Sequence, residues 1–157
     1  MFGAAPFRIR AAAAADAVEL ATAYEWLFAP PGSRPPSWDP GRAAATIGRV
    51  AAAEGSDILI AVSAEAGEER IAGLCSVYLD IDSVRFGRRV WVEDLAVDPA
   101  RRSNGIGRAL LDEARGWARE RGASHLELDS GLARVNAHRF YEREGAVNKS
   151  YSFAWKL

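Results

Sequence analysis

A short turn rich in arginine and glycine is the part of this sequence best suited to bind a charged ligand. It reads RRSNGIGR, residues 101–108, and lies between an apolar stretch and an amphipathic one. Glycines allow the backbone to approach a ligand closely, and backbone N–H groups at the start of a helix have no partner within that helix. Because these N–H groups and the arginines both attract anions, the turn predicts an anion site, most naturally for a phosphate group.

The turn does not match two common nucleotide-binding motifs. A Walker loop ends in Gly-Lys followed by Ser or Thr, which this turn does not contain. The dinucleotide motif requires a glycine at the position of Leu110. The alternative to a ligand site is a glycine turn whose arginines are only solvated.

Hydrophobic periodicity places this turn between a strand and a helix. Residues 90–97 are apolar and β-branched, which predicts a strand, and Asp98-Pro99 is expected to end it. After the turn, apolar residues from Leu110 to Ala118 recur on one helical face, and Gly122 is a suitable helix end. The sequence therefore predicts a helix that begins directly at the turn.

The rest of the chain predicts further short strands and helices. The proline-rich segment 29–36 is expected to be a loop. The predicted order is β-α-α-β-β-β-α-β-α-β, with a last strand at Tyr151–Lys156, which is a mixed α/β arrangement. We predict a single domain over residues 1–157, because this length suits one hydrophobic core.

Composition limits the classes of function. The net charge of −1 gives no electrostatic argument for binding nucleic acid or an anionic membrane, and no apolar stretch is long enough to span a bilayer. A single cysteine, Cys75, excludes an internal disulfide and is consistent with a reducing compartment. No metal-ligand spacing is present. We expect a cytoplasmic, bacterial protein, a monomer or homodimer, with no metal and no nucleic-acid or membrane partner.

Three motifs in this order resemble the GNAT superfamily of N-acetyltransferases. Arg102-Ser103-Asn104-Gly105-Ile106-Gly107 matches the family signature Arg/Gln-x-x-Gly-x-Gly/Ala. The preceding EDLAVDP, residues 93–99, is similar to the family's central strand, and AHRFYEREGA, residues 137–146, is similar to its A-x-x-F-Y-E-x-x-G-F helix end. The resemblance covers roughly residues 88–157. It implies a single-domain GNAT-like fold, in which a mostly antiparallel sheet splays at the acetyl-CoA site and about four helices flank it.

The resemblance also implies that acetyl-CoA is the co-substrate. The main chain of Leu95, Ala96 and Val97 would pair with the pantetheine arm as an additional strand does. The pyrophosphate would bind at the turn formed by Arg102, Ser103, Asn104, Gly105, Ile106, Gly107 and Arg108. Many relatives also have an asparagine that contacts the cofactor at the position of Arg134 here. Asn136, two residues later, is the candidate for that contact.

Glu93 and Tyr141 are the catalytic side chains that the resemblance implies. An alkyl amine has a pKa near ~10.4, so it has to lose a proton before it attacks a thioester. Glu93 matches the family's glutamate base, which acts directly or through water, whereas an ion pair with Arg88 or Arg89 is the structural alternative. Asp94 would point to the opposite face of a regular strand, although a bulge could reverse this. Tyr141 matches the tyrosine that protonates the departing CoA sulfur.

The resemblance implies an N-acetyltransferase that transfers acetyl directly to a primary amine, most simply of a small molecule. A protein amino-terminal or lysine acetyltransferase is an alternative, and so is a non-catalytic acyl-CoA-binding sensor. The presence of both Glu93 and Tyr141 favours the enzyme. Trp26, Phe28 and Trp38 are candidate walls of the acceptor pocket, and each fits the protein core equally well. The sequence leaves the identity of the amine open.

Overall fold

One five-stranded sheet with helices on both faces forms the structure, a computed structural model that describes residues 6–157. The elements are, in chain order, β1 (Phe7–Ala11), α1 (Ala17–Tyr24), α2 (Pro40–Ala52), β2 (Ser56–Glu65), β3 (Glu68–Leu79), β4 (Arg89–Val97), α3 (Ile106–Glu120), β5 (His125–Leu128) and α4 (Val135–Arg143). The strands are ordered β1-β2-β3-β4-β5 and neighbours are antiparallel, except that β4 and β5 are parallel. The predicted mixed α/β fold is confirmed.

The sheet separates two hydrophobic layers. On one face, α1 and α2 pack against side chains that include Ile58 and Leu74. On the other face, Leu110 and other apolar residues of α3 pack against a second set that includes Val77 and Val92. Because successive residues of a strand point to opposite faces, strands covered on both sides are apolar at almost every position, as β2 and β3 are.

The strands β4 and β5 separate part of the way along β4. Their pairing runs from Arg89 opposite His125 to Val92 opposite Leu128. Beyond that point β4 remains paired with β3 on one side, and within residues 6–157 no strand pairs with its other edge. The result is a notch in the sheet beside Glu93–Val97, which confirms the predicted splay.

The predicted last strand, Tyr151–Lys156, is wrong. In the described chain, residues 146–157 contain no helix or strand, although they run beside β5. Lys149 Nζ lies 2.6 Å from a Glu127 carboxylate oxygen, and Ser152 Oγ lies 2.9 Å from one of Asp129. Both contacts are made by side chains. Residues 146–157 therefore have the alternating apolar pattern of a strand but not the backbone hydrogen bonds that define one.

Candidate active site

The start of α3 presents backbone donors at one end of the sheet. Gly105 is the N-cap of α3, and it adopts a left-handed conformation with φ of 82°. No side chain of residues 6–157 caps this helix, so its first N–H groups keep the donor capacity that helix starts have. The preceding Ser103 also has a positive φ, of 65°. The predicted anion site thus lies at the positive end of the helix dipole, and its binding of an anion stays a prediction.

The three arginines of the turn differ in their surroundings. Arg101 donates to Ser63 Oγ at 2.7 Å and so ties the turn to β2. Arg108 lies on the first turn of α3, where its Nε is 3.6 Å from a carboxylate oxygen of Glu144. Arg102 is exposed, and its guanidinium forms no hydrogen bond or ion pair within residues 6–157. Arg102 therefore has the most freedom to pair with an anionic ligand.

A β-bulge in β4 directs two adjacent carboxylates to the same face of the sheet. Ser76 is opposite Asp94, whereas the next residue of β3 is opposite Val92, so Glu93 is the extra residue. Val92 consequently belongs to the α3 layer and Ala96 to the α1–α2 layer, although residues four apart in a regular strand share a face. Asp94 therefore lies on the face of Glu93. This corrects the expectation for a regular strand.

Both carboxylates line a cavity of about 780 Å³ between the sheet, α1 and α2. Glu93 is exposed and Asp94 is more buried. Burial, and secondly the charge of Glu93, raise the pKa of Asp94 to about 6, although Ser76 and Arg134 act in the opposite direction. Ser76 Oγ accepts a hydrogen bond from the Asp94 backbone at 3.0 Å and lies 3.4 Å from its carboxylate. A carboxylate with a pKa close to neutrality is well matched to accept a proton.

Glu93 does not form an ion pair with Arg88 or Arg89, which was the structural alternative to its role as a base. Arg88 Nε lies 3.3 Å from Asp82, and an Arg89 nitrogen lies 3.0 Å from Asp80. Arg89 also approaches Glu127 of β5 at 3.6 Å. Both arginines are thus engaged with other acids, and no side chain of the described residues pairs with the Glu93 carboxylate at the cavity.

Tyr141 is carried by α4, which packs beside the turn. The ring of its neighbour Phe140 lies against Gly107, where a Cβ atom would be 3.5 Å from Phe140 Cζ. The phenol of Tyr141 is largely buried, and this burial raises its pKa above the ordinary value, so the group stays protonated at neutral pH. A protonated phenol in this position can donate a proton to an anion.

The remaining predicted cofactor residues lie on β4, in the turn before α3 and on α4. Leu95, Ala96 and Val97 pair with β3 through one backbone edge and face the notch with the other. Asn104 is exposed, and its amide donates to the Arg101 carbonyl at 3.2 Å, a contact within the turn. Asn136 is exposed in the first turn of α4. Their roles toward a ligand stay predictions.

The aromatic residues divide between the cavity and its surroundings. Trp38 lines the cavity as predicted, and its ring packs edge to face on Phe28 at 4.8 Å between centroids. Trp26 packs instead against the α1–α2 layer. Two tyrosines that sequence reasoning missed, Tyr24 and Tyr78, also line the cavity. Their sequence signal is weak because each also fits the apolar pattern of its own element.

Together, the fold and the site define a mixed α/β protein with a notch in its sheet beside a cavity that Glu93 and Asp94 line. Residues 20–146 match the profile of the Acetyltransferase (GNAT) family, and the chain belongs to that family. This confirms the resemblance that the three motifs indicate.

Individual relatives agree with this assignment. The chain is 40% identical over 84 residues to an uncharacterized N-acetyltransferase of Bacillus subtilis, a match that covers 53% of this chain and 58% of that protein. It is 40% identical over 66 residues to an aminoalkylphosphonate N-acetyltransferase of Salmonella typhimurium, covering 42% of this chain and 43% of that protein. The chain thus spans about half the length of these curated relatives.

A solved structure shares the fold over the whole chain. The aminoglycoside N-acetyltransferase AAC(6')-Iy, in complex with CoA, superposes with a TM-score of 0.82 and 14% identity. The match covers 100% of this chain and 98% of that one. At this identity, the likeness establishes the fold alone.

Proposed function

We propose that the protein is an acetyl-CoA-dependent N-acetyltransferase that transfers acetyl directly to a primary amine of a small molecule. The observation that carries the proposal is one geometric arrangement. The free edge of β4 lies between a glycine-capped helix start and a cavity with two carboxylates. The relatives named for acetylation of aminoalkylphosphonates and aminoglycosides support an amine acceptor.

Acetyl-CoA would bind through the backbone. The free edge at Leu95, Ala96 and Val97 suits the amide groups of a pantetheine arm, which can pair as an added strand does. The N–H groups at the start of α3, together with Arg102, suit a pyrophosphate. A backbone N–H of β4 would polarise the thioester carbonyl, because a fixed donor stabilises the negative charge that develops on that oxygen.

The carboxylates and Tyr141 would handle the protons. The bound ammonium first loses a proton to Asp94 or Glu93, directly or through water, which leaves a neutral amine. As its nitrogen attacks the thioester carbon, a C–N bond forms and the nitrogen gives up a second proton, to the other carboxylate or to water. Collapse of the tetrahedral intermediate breaks the C–S bond, and Tyr141 protonates the CoA thiolate. The products are an acetamide and free CoA.

The first experiment measures acetyl-CoA-dependent thiol release with a panel of small amines and amino-terminal peptides. Release that depends on a small amine supports the proposal, whereas release with peptides alone favours a protein acceptor. Calorimetric titration of acetyl-CoA serves as the control. Tight binding without release on any amine would indicate a sensor, and no binding would contradict the assignment of the turn.

Location and assembly belong to the same proposal. None of the described helices is long and apolar enough to cross a membrane. Within residues 6–157, no three His, Cys, Asp or Glu side chains gather as metal ligands do. A cytoplasmic monomer or homodimer without a resident metal or nucleic-acid partner stays our prediction, to be tested by fractionation, sedimentation and metal analysis.

A further inference from the structure

We infer that the amine acceptor is a monoamine with an apolar, preferably aromatic, body, rather than a polyamine, an aminoglycoside or an aminophosphonate. The inference rests on the proposed function and concerns the cavity that would receive the acceptor. It follows from the chemistry of the cavity walls and from the hydrogen bonds that already occupy their polar groups.

The cavity walls are mainly aromatic and aliphatic. They include Tyr24, Trp38, Ile47, Val50, Ile58 and Tyr78. Burial raises the pKa of Tyr24, with the charge of Asp94 adding to the effect, so this phenol is neutral. Such walls stabilise the complex with a guest whose apolar surface is removed from water on binding, and flat aromatic rings favour an aromatic guest.

Three hydroxyl groups of the cavity lining already have partners within the protein. Ser56 Oγ donates to the Val50 carbonyl at 2.8 Å, and Thr46 Oγ1 accepts from Arg49 at 2.9 Å. Ser76 accepts from the backbone of Asp94. A guest with many hydroxyl groups would therefore replace only part of the hydrogen bonds to water that it loses, and each bond that is not replaced is unfavourable.

The charged groups can accommodate one cationic centre. Asp39 accepts a hydrogen bond from the Arg42 backbone at 2.7 Å as the cap of α2, and the Arg42 guanidinium donates to the Ser37 carbonyl. The opposite charges of Asp39 and Arg42 offset each other, so the net negative charge of the cavity lining is that of Glu93 and Asp94, which lie side by side. The carboxylate pair suits one ammonium group, whereas a second cation would lie against apolar walls or beside the Arg42 guanidinium, and the net negative charge would repel a phosphonate.

A matched pair of amines tests the inference most directly. Hexylamine and 1,6-diaminohexane differ only in the distal ammonium. The ratio of their kcat/KM values for acetylation therefore measures how far that second charge disfavours binding in the cavity. We expect hexylamine to exceed the diamine by at least about tenfold, and 2-phenylethylamine to exceed hexylamine. Kanamycin and 2-aminoethylphosphonate complete the panel, and both are expected to be poorer acceptors than hexylamine.

A variant of the cavity wall supplies the reciprocal test. Thr46 is exposed on α2 and lines the cavity, so Thr46→Glu adds a carboxylate there, and Thr46→Gln is a neutral control of similar size. We expect Thr46→Glu to raise the diamine-to-monoamine ratio of kcat/KM by about tenfold and Thr46→Gln to leave it unchanged. Acetyl-CoA affinity should be the same in both variants.

The outcomes separate this inference from the proposed function. Preference of the natural protein for the diamine, kanamycin or 2-aminoethylphosphonate would overturn the inference and leave the transferase standing. An unchanged ratio in Thr46→Glu would also overturn it. Lack of acetylation of every amine, despite acetyl-CoA binding, would contradict the proposed function and the inference together.

Discussion

The carboxyl group of Asp94 combines partial burial with a neighbouring negative charge, and both features raise its pKa to about 6. In the unfolded chain an aspartate titrates near ~3.9. Between these values the folded protein holds a proton that the unfolded chain has released. The free energy of unfolding therefore decreases as the pH rises through this window, and above it the ionised Asp94 destabilises the fold.

Asp94→Asn should stabilise the protein and remove activity. At pH 7.5 we expect the free energy of unfolding to rise by about 1–2 kcal/mol, because the variant buries no charge. The gain should shrink at pH 4.5, where Asp94 is already protonated. Urea denaturation at the two pH values measures this. Turnover should fall by at least about a hundredfold if Asp94 accepts the proton. A loss of stability at pH 7.5 would contradict the account.

Glu93→Gln distinguishes the two carboxylates as proton acceptors. Glu93 raises the pKa of Asp94 by repulsion, so its removal should lower that pKa. If Asp94 is the base, the acidic limb of the pH–rate profile moves to lower pH and turnover persists. Loss of turnover by about a hundredfold would instead assign the proton transfer to Glu93.

Tyr141→Phe tests the proposed proton donor. The substitution removes only the hydroxyl and keeps the ring that packs with Phe140 at 5.4 Å between centroids. We expect kcat to fall by about a hundredfold, while the calorimetric Kd for acetyl-CoA is retained, since protonation of the thiolate follows binding. An unchanged kcat would exclude the acid role.

The start of α3 is positioned by close packing as well as by its turn. A Cβ atom on Gly73 of β3 would lie 2.8 Å from Ile106 and 2.9 Å from Leu110. Only glycine at this position lets the helix approach the strand so closely. The N-terminal turn of α3 is thereby held against the β3–β4 pair, beside the free edge of β4.

Two glycines of this region should respond to alanine in opposite directions. Gly105 has a φ of 82°, so Gly105→Ala strains the helix cap by about 1–2 kcal/mol and should weaken acetyl-CoA binding. Gly116 lies within α3 with open space around a new Cβ atom, so Gly116→Ala should stabilise by about 0.5–1 kcal/mol and leave binding unchanged. Thermal denaturation and calorimetry measure both effects. Equal responses would show that the Gly105 conformation has no special role.

Arg134 connects parts of the molecule that are far apart in sequence. Its Nη2 donates to the Leu27 carbonyl at 3.0 Å, across a separation of 107 residues. A Cβ atom on Gly32 would lie 2.7 Å from this nitrogen, so the loop after α1 closes tightly around it. The positive charge of Arg134 also lowers the pKa of Asp94. One side chain thus links the first loop, the segment before α4 and the carboxylate.

Arg134→Met should affect stability and pH dependence together. We expect the free energy of unfolding to fall by about 1–2 kcal/mol, because the Leu27 carbonyl loses its donor. The acidic limb of the pH–rate profile should move to higher pH, since the variant lacks the positive charge that lowers the pKa of Asp94. Arg139→Met on the exposed side of α4 is the matched control and should change neither. A profile identical to the natural one would contradict the coupling.

The elements around the motifs could be predicted in detail, whereas the end of the chain could not. The apolar stripe from Leu110 to Ala118 and the turn before it are local patterns, and α3 begins and ends close to the predicted positions. Tyr151, Phe153 and Trp155 show an equally regular alternation, yet all are at least 80% exposed. A strand also needs a partner along its backbone, and no local pattern supplies one.

The sequence alone determined the family, the glycine turn and the order of strands and helices up to α4, because each depends on residues close together in the chain. Long-range packing settled which side of the sheet Asp94 faces, where β4 loses its partner and which side chains enclose the cavity. The bulge at Glu93 is a difference in register between β3 and β4. The cavity needs α1, α2 and the sheet together. Such features depend on contacts between distant segments, which no local spacing of residues specifies.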